Sequence, residues 1–178
     1  SGNDGPLISH VPFLLNEAGD QADLHLVRSN PIARALKSAL PVKLAISGGD
    51  SYVSPDWYDI DDQVPTWNYV AVHLTGTLEL RPQEELLDLL DRQSAWFEDR
   101  LLPKPPWTTA KMNPVTLQKM MRMIVPCRMR ITGVDGTWKL SQNKPDAVRL
   151  AAADGVEAHG FGAGTGSLAD QMRAAKGA

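Results

Sequence analysis

A mainly β fold with added helices (β plus α) is what this sequence predicts: an antiparallel sheet formed as a barrel, with helices at its periphery. Three observations carry that expectation. Apolar and polar residues alternate in the strand-like runs, the connections between those runs are short and turn-like, and the helical stretches arise as inserts at Asn-Pro pairs rather than as regular crossovers. A doubly wound parallel sheet needs regular crossovers. Neither a Rossmann glycine fingerprint nor a Gly-rich loop ending in Gly-Lys-Ser or Gly-Lys-Thr is present.

Residues 8–15 and 24–27 read as strands, and the polar, Gly-containing stretch between them reads as a hairpin connection. Asn30-Pro31 supplies an N-cap followed by the residue best suited to the first helical position, which predicts a short helix over 32–39 ended by Pro41. Residues 42–47 form the next expected strand, stopped by Gly48-Gly49. A short one follows at Tyr52-Val53, and a long one over 67–80 is interrupted at Gly76. After Pro82, the spacing of Leu86, Leu87, Leu90, Ala95 and Phe97 predicts an amphipathic helix with Glu84 and Glu85 at its N-terminal end, where the helix dipole favours acids. Residues 102–107 form a Pro-rich connector. Asn113-Pro114 repeats the cap-and-proline signal and opens a helix through Ile124, ended by Pro126, with its methionines as core filling. Cys127, Met129 and Ile131 alternate with Arg128, Arg130 and Thr132 as a strand, which Asp135-Gly136 turns back into 138–140. The chain then divides into a domain over 1–150 and an Ala- and Gly-rich C-terminal tail over 151–178. In that tail 159–166 has little to bury and is expected to be flexible or partner-dependent.

A length of 178 residues allows one substantial core. The formal net charge of −3 gives no general attraction to nucleic acid or to an anionic membrane. Cys127 is the single cysteine, which excludes an intrachain disulfide and a thiolate metal cluster and fits a reducing cytoplasm. No apolar run reaches membrane-spanning length and no signal-peptide pattern opens the chain, so a soluble cytoplasmic protein is expected.

The run from Ser54 to Tyr58 and the run from Val64 to Val72 place Trp57, Tyr58, Trp67 and Tyr69 among Pro, Thr and Asn at the start of a strand. Such a mixture suits a cavity for a planar heteroaromatic ligand, and equally an aromatic core cluster with a rigid turn. His10, His25 and His73 sit on separate strands, and no short-spaced pair supports a metal site. Tyr58, Tyr69 and Cys127 have no base or orienting partner in sequence, so no catalytic residue is assigned.

Five blocks carry a family resemblance: Ser9-His10-Val11-Pro12-Phe13, His25 to Pro31, Tyr52 to Tyr58, Val64 to His73, and Lys139-Leu140-Ser141-Gln142-Asn143. In order and spacing they resemble the FMN-binding, PaiB-type negative transcriptional regulator family, from Leu7 to about Asn143. The resemblance implies an FMN-binding split β-barrel similar to pyridoxamine-phosphate oxidases, a homodimer with FMN sites at the interface, and a regulatory role. A phosphate needs a cation beside hydroxyl or amide donors, and Arg28 with Asn30, and Lys139 with Ser141, Gln142 and Asn143, provide such groups. Thr66, Trp67 and Asn68 are expected at the ring and ribityl chain, and His10 and His25 as further cofactor contacts. The alternative use of the flavin is an oxidoreductase, a flavin reductase or oxidase acting on a small molecule. Direct DNA binding is weakly supported. The helix opened at Pro114 offers Gln118, Lys119 and Arg122 but no preceding helix and tight turn. The family also carries a further strand before Ser9, through a His-Pro-Phe-Ala stretch, and its near absence here is expected to reflect residues missing from the chain rather than an absent strand.

Overall fold

Alternation of buried Ala22, Leu24 and Leu26 with Gln21, Asp23 and His25 produces a strand with one dry face. In the computed structural model, which describes residues 5–176, Phe13–Leu15 (β1) pairs antiparallel with Gln21–Val27 (β2), Leu14 opposite Asp23. Asn16 organises the turn: its Oδ1 accepts from the backbone N–H groups of Asp20 at 3.1 Å and Gln21 at 3.0 Å. β1 is shorter than the expected 8–15, and Pro12, just before it, has no N–H to give to a ladder. The chain start at Ser1-Gly2, on which the expectation of missing residues rests, lies outside the described residues, as do residues 177–178 of the expected tail.

Asn30 caps Pro31–Ala35 (α1), its Oδ1 accepting from the Ile32 N–H at 2.8 Å. This helix stops at Ala35, not at 39, because it buries none of its residues and has no packed face to prolong it. Leu40–Val53 (β3) is one 14-residue strand where two were expected, and Pro41 is its second residue rather than a helix terminator. Gly49 does not end it: a Cβ there would lie 2.8 Å from the Gly164 carbonyl oxygen, so the glycine serves close packing.

Thr66–Leu80 (β4) likewise runs through Gly76 without interruption, since a Cβ at Gly76 would lie 2.1 Å from the Arg130 carbonyl oxygen of the neighbouring strand. Leu86–Glu98 (α2) packs on β2 with Leu86 and Leu89 buried. Pro114–Met121 (α3) is capped by Asn113, whose Oδ1 accepts from Val115 and Thr116, and it ends before the expected Ile124. Ile124 opens Ile124–Lys139 (β5), so Pro126 lies within a strand, opposite His25, its carbonyl accepting from the Arg81 N–H. No hairpin forms at Asp135-Gly136. β5 instead follows β4, with Thr132 Oγ1 donating to the Thr75 carbonyl and Lys139 reaching Thr66. Residue numbers descend along β5 as they rise along β4, which makes this pair antiparallel, like β1–β2 and β2–β5.

The strand order is β1-β2-β5-β4-β3. β1 and β3 are therefore edges, and the fold is an antiparallel sheet with several helices, an open split-barrel arrangement and not a closed barrel. The expected tail holds two helices, Asp146–His159 (α4) and Thr165–Ala174 (α5). They are packed: Ala152, Ala153, Val156, Leu168, Ala169 and Met172 are all fully buried in a cluster with Val53, Tyr58 and Leu140. The connection between them is bound to β3, the Asp50 N–H donating to the Ala163 carbonyl at 2.8 Å and the Ala163 N–H to Asp50 Oδ1 at 3.1 Å. The expectation of a flexible 159–166 is corrected accordingly, because small residues bury well against a partner helix that offers a close fit.

The chain divides into two compact units, Ser1–Lys43 with Thr75–Gly133, and Leu44–Leu74 with Val134–Ala178. The boundary expected at residue 150 falls inside α4. The core of the first unit includes Ala22, Leu24, Leu26, Leu78, Leu86, Cys127 and Met129; that of the second is the cluster around α4 and α5.

Candidate functional site

In the first unit, strand alternation turns Asp23 and His25 away from the dry face of β2. Asp23 is bound by Arg128 through Nε at 2.6 Å and Nη2 at 3.0 Å, and by Arg92 of α2 at 3.1 Å. Burial pushes its carboxyl up, but the two guanidinium groups outweigh that and hold it below the usual carboxylate range. His25 is held below its ordinary value by burial, opposed by the side chain of Gln93 on α2. Its Nδ1 and Gln93 Nε2 are both buried without a hydrogen-bond partner.

Arg28 donates from Nε to the Arg122 carbonyl at 2.7 Å and from Nη2 to Gln83 Oε1 at 2.6 Å. Gln83 in turn donates to the Met121 and Ile124 carbonyls, so Arg28 ties down the turn between α3 and β5. Asn30 combines its capping bond with donation from Nδ2 to Ser9 Oγ at 2.9 Å, and the neighbouring His10 is exposed. Both Arg28 and Asn30 therefore hold the local chain.

In the second unit, Thr66, Trp67 and Asn68 are consecutive strand residues, and alternation sends Trp67 to the face opposite the other two. Asn68 is fully buried, donating from Nδ2 to Ser141 Oγ at 2.9 Å and contacting Met172 Sδ at 3.5 Å, while its Oδ1 has no partner. Thr66 Oγ1 accepts from Lys139 Nζ at 2.7 Å at the point where β4 begins and β5 ends; Lys139 is exposed and keeps further N–H donors. Gln142 closes the turn after β5, accepting from the Leu140 N–H and donating to the Trp138 carbonyl, and Asn143 is exposed.

Trp67, 40 % exposed, faces Phe161 at 5.9 Å between ring centroids and 71° between planes. Phe161 stacks on Tyr52 at 5.7 Å and 17°, and Tyr52 meets Trp57 edge-on at 6.5 Å. Four aromatic rings thus form a continuous group on the second unit. Sequence reasoning picked out Trp67 and missed Tyr52 and Phe161 as site residues. The available signal was an aromatic set between two glycines in Gly160-Phe161-Gly162.

A concavity of about 760 Å³ is lined by Pro55, Asp56, Asp59, Ile60, Asp61, Asp62 and Gln63. Four carboxylates give it the wrong sign for a phosphate. Among the described residues no three His, Cys, Asp or Glu side chains converge as metal ligands. Fit to a flavin is best at Trp67, which offers an open stacking face, whereas the exposed cation Lys139 is bonded to Thr66 on the other face of β4.

The model of the family described as "Putative FMN-binding domain" matches residues 1–133. The protein is similar to "Protease synthase and sporulation protein PAI 2" of Bacillus subtilis, 28% identical over 141 residues that cover 78% of this chain and 67% of that one. Its fold is similar to that of the FAD and heme binding protein from Mycobacterium smegmatis, with a TM-score of 0.50 and 17% identity over 85% of this chain and 65% of that one. The flavocytochrome Anf3 from Azotobacter vinelandii aligns with a TM-score of 0.47 and 16% identity, covering 78% of this chain and 58% of its own. The chain thus spans less than two thirds of the length of either solved structure.

Proposed function

The chain belongs to the FMN-binding family whose model it matches over residues 1–133, and on that premise we propose that it is a homodimeric FMN-binding regulator, a sensor of flavin redox state in the cytoplasm. A flavin is the cofactor of the family. The observation that carries the assignment to this chain is the open face of Trp67, within the family-matched residues and at the edge of an aromatic group.

A planar ligand on the exposed face of β4 would meet the Trp67 ring. Stacking on Trp67 would hold an oxidised isoalloxazine. Bound FMN supplies one- or two-electron chemistry. Asn68 and Ser141 act behind the site by locking the start of β4 to the turn after β5. The regulatory part of the reading is supported by similarity to the sporulation protein named above. The eight-residue α3 is a poor recognition helix, so action on transcription runs through a partner protein rather than through base contacts of this chain. Dimerisation is supported by the exposed aromatic surface, a type of surface enriched at protein interfaces.

Purification of the protein with a flavin absorption band, or saturable FMN titration weakened by Trp67→Ala, is the expected result, together with a dimer in sedimentation at micromolar concentration. No FMN binding by a folded chain sinks the cofactor assignment, and a monomer alone sinks the dimer. Turnover of NADH or NADPH by the FMN-loaded protein would instead favour an oxidoreductase.

A further inference from the structure

We infer that Phe161, on the connection between α4 and α5 and outside the family-matched stretch, is a flavin-ring contact that completes an aromatic corner with Trp67. This deepens the FMN reading above and rests on it. The two rings stand at 71°, so a planar ligand stacked on one presents its edge to the other. Tyr52 covers one face of Phe161 from behind, at 5.7 Å and 17°, which leaves the opposite face free.

Burial does not explain the placement of Phe161. The side chain is 62 % exposed, yet the backbone around it is tightly constrained. A Cβ at Gly160 would lie 2.4 Å from the Val156 carbonyl oxygen, and one at Gly162, where φ is +149°, would lie 2.3 Å from the Asp50 carbonyl oxygen. Two hydrogen bonds between Asp50 and Ala163 follow at once. A connection fixed this closely, with its largest apolar ring left in water, is preorganised for a ligand and not for the core. The occupant is a planar, electron-poor ring, because the corner is built of electron-rich aromatic faces and edges and the family is an FMN-binding one. The isoalloxazine of FMN meets that description.

FMN titration of the full chain, read by flavin fluorescence and by tryptophan emission, tests the inference. Phe161→Ala is expected to weaken binding by about tenfold, the upper end of an aromatic pair's contribution. Phe161→Tyr is expected to keep affinity and to quench the bound flavin more than the wild type does, because a phenol donates an electron to an excited flavin and a benzene ring does not, and Phe161→Leu to lose affinity although apolar bulk is retained. Melting curves of the three variants matching the wild type identify a loss as local. Wild-type affinity in folded Phe161→Ala, or wild-type flavin emission in Phe161→Tyr, would overturn the role of Phe161 while leaving FMN binding standing. Failure of the wild type itself to bind FMN would overturn both.

Discussion

Asn68 and Ser141 meet inside the second unit, the Asn68 Nδ2 donating to Ser141 Oγ at 2.9 Å, with Asn68 fully buried and Ser141 nearly so. Ser141 has φ of +64°, a conformation that a non-glycine residue adopts at a cost. The hydrogen bond and the strained backbone occupy the same residue, so they can be separated by substitution. Ser141→Ala removes the hydroxyl and keeps the strain, leaving a buried amide short of a partner, and is expected to cost about 1–3 kcal/mol. Ser141→Gly removes the same bond but relieves the backbone, so it is expected to cost less than the alanine variant. Urea midpoints of the two variants check the order; equal losses would show that the backbone strain is immaterial.

Gly76 is set against β5, and its missing Cβ would stand 2.1 Å from the Arg130 backbone oxygen, which cannot swing aside. Gly76→Ala is expected to destabilise by more than about 3 kcal/mol, at or above the upper end of ordinary overpacking. Gly166, in the first turn of α5 with nothing within 4 Å of the position a Cβ would take, is the control: its alanine variant is expected to be neutral or slightly stabilising. Thermal melts of the pair decide the matter.

Two groups on β2 make stability depend on pH, and both act in the same direction. His25 is held below 6.5 in the folded state, so its contribution is present above that value and is lost as pH falls through its folded value. Asp23 is held below 3.8 by Arg128 and Arg92, so its contribution persists to lower pH and is lost as pH falls through its own folded value. Unfolding midpoints are expected to decline in two separate stages on acidification. His25→Gln should remove the upper stage alone, and an unchanged upper stage in that variant would exclude His25 as its source.

Cys127 is 1 % exposed on β5, and burial raises its thiol to about 11. A thiol with so little thiolate and so little access is expected to resist an aromatic disulfide reagent at about pH 8 in the native protein and to react fully in denaturant. Rapid labelling of the folded chain would contradict this burial.

Helix starts were legible because a cap is a local device. Asn30-Pro31 and Asn113-Pro114 each begin a helix with the asparagine side chain on the next turn's N–H groups. Helix ends were not legible to the same degree, since α1 stops for want of a packed face and α3 gives way to β5, both matters of tertiary packing and pairing. Glycines misled for a related reason. At Gly49 and Gly76 the residue is small to admit a neighbouring backbone, and nothing local distinguishes that from a turn. Within the candidate site, Trp67 stood out by its company in sequence, whereas the contact of Phe161 with Tyr52 joins segments whose nearness no spacing announces.

The sequence by itself determined the alternation that makes β2 a one-faced strand, the capped starts of α1 and α3, the single cysteine, and the ordered blocks that mark an FMN-binding family. These are local or linear properties, set by side-chain direction, capping chemistry and residue order. Tertiary structure alone decided that β3, β4 and β5 run unbroken, that the Ala-rich end folds into α4 and α5, and that Arg28 bonds to the turn after α3. Each depends on what a distant segment presents: a carbonyl oxygen, a close-fitting helix or a glutamine side chain. Close packing and hydrogen-bond satisfaction are properties of pairs, and a pair far apart in the chain exists only once the chain has folded.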